Sequence, residues 1–219
     1  MSELLRNIPC YRDYVIKDGV FIGKFEEMYR DVPDPWGCLE KVNALSNRLL
    51  LAQLQDFAPQ SRVLDVGCGL GTLTALIEKC TRPEEVTAFD VSPTALEKAR
   101  AHAPDVNFFV HNLVENPCLS FPDGHVSLIT MAEVIWYILP VLENVLREFS
   151  RLLSPSGRLV VKQAFLTPGQ QKYGAGTVSK PADLLRFVRQ TGLVAEREIL
   201  VTEASGERIY ILSSRPSEA

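Results

Sequence analysis

At 219 residues, with 46% hydrophobic and 23% charged positions, the chain is long enough for one well-filled α/β core. A net charge of −4 and a pI near 5.5 exclude a surface built mainly to neutralise phosphates, so nucleic acid is not an expected partner. The apolar runs are only strand-length, which argues against a transmembrane span and against a membrane partner.

Cys10, Cys38, Cys68, Cys80 and Cys118 are scattered, with no C-x-x-C pair, so neither disulfides nor zinc are expected and the cytoplasm is the expected compartment. His102, His111 and His125 are dispersed, and no metal is expected. Met1 to Cys10 carries charges at Glu3 and Arg6 and is not read as a signal peptide.

Residues 1–58 form an aromatic-rich, turn-punctuated lead, expected to be a helical extension closing over a site in the domain at 59–219. There, strands and helices alternate. Arg62 to Val66 is the first strand of that region, stopped by Gly67. The helix after it shows Leu73, Leu76, Ile77 and Cys80 at the spacing of a core-facing stripe. Glu85 to Phe89 reads as the second strand, and Ser92-Pro93 opens a helix, with Ser as N-cap and Pro at the first helical position. Val106 to Val110 and Val126 to Met131 are the third and fourth strands. Leu142, Val145, Leu146, Phe149, Leu152 and Leu153 mark the helix that Ser154-Pro155-Ser156-Gly157 ends, before a fifth strand at Arg158 to Gln163. A helix from about Pro181 to Gln190 follows, with Ser179 as a possible cap, and then two strands, Leu193 to Val201 and Arg208 to Leu212. The short turn at Ala204-Ser205-Gly206 makes these last two antiparallel. Repeated βα units demand a mostly parallel sheet with helices on both faces. The expected fold is therefore α/β: a Rossmann-like doubly wound sheet with an antiparallel C-terminal hairpin.

The most informative stretch is Val63-Leu64-Asp65-Val66-Gly67-Cys68-Gly69-Leu70-Gly71-Thr72. Alternate glycines let the backbone leave a strand, turn sharply and approach a ligand at the carboxyl end of the sheet. Asp90, at the end of the second strand, can accept from both hydroxyls of a ribose. A dinucleotide fingerprint requires G-x-G-x-x-G, but here the third glycine comes one residue early. Asp65 would also crowd a pyrophosphate, whereas it suits an ammonium group. An amino-acid tail meets that requirement and a diphosphate does not.

This segment resembles motif I of class I S-adenosylmethionine-dependent methyltransferases. The resemblance implies that S-adenosylmethionine is the cofactor and S-adenosylhomocysteine the product. By position, it implies that Asp65, Gly67, Cys68, Gly69 and Gly71 line the methionine moiety, that Asp90 and Val91 hold the adenosine, and that Asn112, Leu113 and Met131 complete the site. Where that family commonly has an Asp for the adenine amino group, this chain has Asn112, which can accept from adenine or cap the following turn.

Methyl transfer from a sulfonium is an in-line displacement, so the protein mainly positions the acceptor and manages its proton. Near the end of the fourth strand, Glu133 is the only carboxylate in an apolar run from Val126 to Val141. It is read as catalytic, with a structural hydrogen-bonded role as the alternative. Tyr137 is expected to share its helical face and to touch the acceptor. Tyr29, Trp36, Trp136 and Tyr173 are the expected acceptor contacts, Tyr173 from the polar, glycine-rich loop at Phe165 to Lys180. Tyr29 with Asp34-Pro35-Trp36, taken with Glu133-Val134-Ile135-Trp136-Tyr137, is loosely similar to nodulation methyltransferases that N-methylate a de-N-acetylated chitooligosaccharide. The expected activity is methylation of nitrogen or oxygen on a small molecule by a monomer or homodimer. A protein or nucleic-acid methyltransferase and a non-catalytic cofactor-binding subunit remain as alternatives.

Overall fold

The computed structural model describes residues 11–56, 61–165, 172–202 and 206–214. The chain enters through α1 (Tyr11–Tyr14), a two-stranded ribbon of β1 (Ile16–Lys17) and β2 (Val20–Phe21), α2 (Phe25–Asp31) and α3 (Leu45–Gln55). The alternating region follows as β3 (Arg62–Val66), α4 (Thr72–Thr81), β4 (Glu85–Asp90), α5 (Pro93–His102), β5 (Asn107–Val110), β6 (Val126–Ala132), α6 (Leu142–Leu152), β7 (Leu153–Gln163), α7 (Pro181–Gln190), β8 (Leu193–Thr202) and β9 (Glu207–Ser214).

The seven long strands form one sheet in the order β5-β4-β3-β6-β7-β9-β8. The first four contacts, from β5 to β7, are parallel. β9 runs antiparallel to β7 and to β8, so the closing strand inserts beside β7 and leaves β8 at the edge. The chain builds outward from β3 through β4 to β5 and then returns to place β6 on β3's other side. Loops leaving β3 and β6 therefore diverge, and a crevice opens at their carboxyl ends.

Alternation along the buried strands sorts side chains to two faces. Leu64, Val66, Ile129, Met131, Leu159, Val161, Tyr210 and Leu212 pack with Val145, Leu146, Phe149 and Leu152 of α6 and with Leu184 and Val188 of α7. Val63, Leu128, Val160, Ile209 and Ile211 pack on the opposite face with Leu50, Leu54 and Ile77. Leu50 and Leu54 belong to α3, so this helix is part of the main core rather than part of a cover. The lead also holds a strand ribbon as well as helices.

Several local expectations are corrected. On α4 the most buried positions are Thr74, Ile77 and Thr81, while Leu73, Leu76 and Cys80 are only half-buried, because Thr74 serves a buried carboxylate described below. The Ser154–Gly157 segment does not precede β7 but lies within it, absorbed by a register shift between Val126 and Leu128. Ser179 is not the cap of α7. Lys180 stands at that position, and Asp183 Oδ2 reaches back to accept from the backbone N–H groups of Ser179 and Lys180 and from the Ser179 hydroxyl. Of the Ala204-Ser205-Gly206 turn, only Gly206 lies within the described residues.

Candidate active site

The glycine turn leaves β3 as the spacing requires. Gly67 and Gly69 have φ of +66° and +54°, a left-handed region costly for any residue with a Cβ. Each is also approached closely: a Cβ on Gly67 would stand 2.6 Å from Val134 Cγ2, and one on Gly69 would stand 2.8 Å from the Tyr29 hydroxyl. The turn is thus sandwiched between the loop after β6 and the helix α2. Gly71 caps α4, and the Cys68 N–H donates to Phe89 O at 3.0 Å.

Two buried carboxylates flank this turn. Asp90 is 7% exposed, and its Oδ2 accepts from Gly69 N–H at 2.9 Å while its Oδ1 accepts from Ser92 N–H at 3.0 Å. Burial raises its pKa, and amide bonds from Ser92, Gly69 and Val91 oppose the rise. Each oxygen keeps further acceptor capacity. Asp65 is 3% exposed. Its Oδ2 accepts from the Thr74 hydroxyl at 2.6 Å and its Oδ1 from the Thr130 hydroxyl at 2.7 Å. Burial pushes its pKa up to about 6, against those two bonds and with help from the Asp90 charge.

Asn112 makes the turn contact: its Oδ1 accepts from Val114 N–H at 3.0 Å, in the manner of an Asx turn. Val91 is half-buried beside Asp90. Leu113 and Met131, expected at the cofactor, are core residues packed in the cluster of Val66 and Phe89.

The aromatic residues of the lead meet the loop after β6. Trp36 Nε1 donates to the Tyr29 hydroxyl at 2.9 Å. Tyr137 lies 5.9 Å from Trp36, 5.1 Å from Phe25 and 6.4 Å from Phe21 by ring centroids, and Tyr173 stacks on Phe21 at 5.5 Å. Tyr29, Trp36, Tyr137 and Tyr173 are therefore brought together, linked by Phe25 of the aromatic-rich lead and by Phe21, which sequence reasoning missed. Trp136 is not among them; it packs edge-on against Phe165 at 6.2 Å.

Glu133 follows β6 with φ of +59°, unusual for a residue with a side chain. From there the chain enters a short 3-10 turn, Ile135–Tyr137, so Glu133 and Tyr137 do not share a helical face. Glu133 Oε2 accepts from Gln163 Nε2 and from Ala164 N–H, both at 3.0 Å, while Tyr137 turns to the aromatic rings. Burial pushes the Glu133 carboxyl up to about 7, against the Ala164 amide and the nearby Lys162 charge.

Glu26 of α2 fastens the lead to the start of α5. Its carboxylate accepts from the Ser92 and Thr94 hydroxyls, both at 2.6 Å, and from Thr94 N–H at 3.2 Å. Burial pushes its pKa up, but these bonds outweigh burial and leave it lowered. Among the described residues no His/Cys/Asp/Glu group could hold a metal ion, and no helix is long and apolar enough to cross a membrane.

Residues 63–157 match a family described as a methyltransferase domain. The chain is 33% identical over 153 residues to the biotin biosynthesis bifunctional protein BioHC of Cellvibrio japonicus, which covers 67% of this chain but 29% of that longer protein. It is 25% identical over 201 residues to the ubiquinone biosynthesis O-methyltransferase of Proteus mirabilis, covering 81% and 80% of the two chains. Its fold is similar to geranyl diphosphate C-methyltransferase from Streptomyces coelicolor, solved with Mg2+, geranyl diphosphate and S-adenosyl-L-homocysteine, with a TM-score of 0.65, 17% identity, and 93% and 89% coverage. The parallel sheet, its antiparallel closing strands and the glycine turn define a Rossmann-like methyltransferase fold. The chain is a class I S-adenosylmethionine-dependent methyltransferase, with S-adenosylmethionine as its cofactor.

Proposed function

We propose that this enzyme methylates an oxygen or nitrogen of a small molecule, with Glu133 receiving the proton that the acceptor gives up. The observation that carries this reading is the setting of Glu133: a half-buried carboxylate held by one oxygen, directly before Val134, which rests against Gly67. The O-methyltransferase relative of Proteus mirabilis, matched over most of both chains, supports a small acceptor.

S-adenosylmethionine, when bound, supplies an electrophilic methyl group on a sulfonium. The residues present fit it: a backbone turn bare of side chains, with two acceptor carboxylates and a tyrosine hydroxyl beside it. Gly67, Cys68, Gly69 and Gly71 would hold the methionine portion, with the Asp65 charge favouring its ammonium group. Asp90 would hold the ribose hydroxyls with its remaining lone pairs, beside Val91. Tyr29 and Trp36 would exclude water from above, and Asn112 would border the adenine. Tyr137 and Tyr173, with the rings they touch, would wall the acceptor.

A base poised near neutrality suits a proton that must leave at physiological pH. Glu133→Gln removes that base while keeping shape. It is expected to lower turnover to S-adenosylhomocysteine about 10²–10⁴-fold, with cofactor affinity within threefold of the parent. Undiminished turnover would make Glu133 structural.

A further inference from the structure

We propose that Gln163 is a positioning residue that pins one oxygen of Glu133 and leaves the other to take a proton from the acceptor. The inference rests on the reading of Glu133 above and deepens it, because it restricts the acceptor to groups that carry a removable proton: a phenol, an alcohol or an amine.

Gln163 ends β7 with a side chain that is 0% exposed, on the face of the sheet otherwise given to Val161, Tyr210 and Leu212. A carboxamide in that apolar layer is costly unless each polar atom is satisfied. Its Nε2 donates to Glu133 Oε2 at 3.0 Å and to Ala164 O at 3.1 Å, and its Oε1 accepts from Ile135 N–H at 3.2 Å. Those three bonds fix the amide so that its N–H faces Glu133. They also tie β7 to the turn after β6, where the left-handed backbone of Glu133 is held. The Gln163 Nε2 and Ala164 N–H groups together occupy Oε2, whereas among the described residues no donor reaches Oε1.

The result is a carboxylate with one fixed and one available oxygen. In the step it serves, the acceptor's O–H or N–H bond breaks, the proton bonds to Glu133 Oε1, and the electron pair left on the acceptor atom takes the methyl group. A carboxylate acceptor, already deprotonated, would have no use for this arrangement. The charges that bear on Glu133 come from Lys162 on β7 and Lys41 in the segment before α3, which favour its ionised form, and from Glu207 on β9, which opposes it. Gln163 is uncharged, so its effect on Glu133 is through the hydrogen bond alone.

The test titrates Glu133 by carbon-13 NMR in full-length protein labelled at glutamate Cδ, with the signal assigned by its loss in Glu133→Gln. Gln163→Met keeps length and removes the donor. The titration midpoint of Glu133 is expected to rise by about one pH unit, with S-adenosylhomocysteine binding unchanged by calorimetry. Should Gln163→Met fail to fold, Gln163→Asn withdraws the same donor with less loss of polarity and is expected to shift the midpoint in the same direction. An unmoved midpoint in a folded variant would overturn the proposal and make Gln163 a brace for Ile135 only. If the midpoint moves but Glu133→Gln turns over at the parent rate, Gln163 does position Glu133 and it is the proton-accepting role that falls.

Discussion

The indole N–H of Trp36 donates to the hydroxyl of Tyr29, and that hydroxyl stands where a side chain on Gly69 would have to go. The contact joins the lead to the glycine turn, so the two share one steric boundary. Gly69→Ala must accept both a left-handed backbone and this clash. It is expected to lower the Tm by about 2–8 °C and to weaken S-adenosylhomocysteine binding. Combined with Tyr29→Phe, which removes the obstructing oxygen, the same substitution should cost measurably less than the two separate changes predict. Thermal melts of the four proteins check this.

Asp90 holds the turn and, in the proposed function, the ribose. Asp90→Asn keeps the size but loses charge and one acceptor. Charge-assisted bonds are worth about 1.5–3 kcal/mol, so affinity for S-adenosylhomocysteine should fall about 10- to 100-fold by calorimetry. Unchanged affinity would remove Asp90 from the site.

Asp65 couples stability to pH in a definite direction. Its folded pKa, about 6, lies above the ordinary 3.8, so the folded state holds the proton more tightly than the unfolded state. Its contribution to stability is therefore greatest below the unfolded value and is lost as pH rises through about 6. Asp65→Asn removes this dependence: the fall in Tm between pH 5 and 7 should be shallower than in the parent. The same substitution should weaken S-adenosylhomocysteine binding at pH 7.5, because the charge that favours an ammonium group is gone.

Glu26 ties α2 to the start of α5, and its folded pKa is lowered. That contribution is present above the unfolded carboxylate range and is lost as pH falls through the folded value. Glu26→Ala leaves the Ser92 and Thr94 hydroxyls without their acceptor and should lower the Tm by a few degrees. Limited proteolysis should then cut the segment before α3 faster than in the parent.

Short-range signals were readable in the sequence because they depend on neighbours in the chain. Ser92 caps α5, its Oγ accepting from Ala95 N–H, as the Ser-Pro pair implied, and the glycine turn leaves β3 where its spacing places it. The long-range relations were not readable. Thr130 reaches Asp65 across 65 positions and Glu26 reaches Thr94 across 68, distances over which no periodicity operates. Gln163 looked like the polar end of a strand; only the neighbouring turn of β6 gives its amide a purpose. Tyr137 was misplaced relative to Glu133 because a helix was assumed where a left-handed residue and a 3-10 turn intervene.

The central claim is that the turn from Gly67 to Gly71, with Asp65 and Asp90, holds an amino-acid tail and a ribose rather than a dinucleotide. Calorimetric titration of the purified protein with S-adenosylhomocysteine and, separately, with NAD tests it most directly. Saturable one-to-one binding of S-adenosylhomocysteine with no heat from NAD is the expected result. Binding of NAD with none of S-adenosylhomocysteine would contradict it.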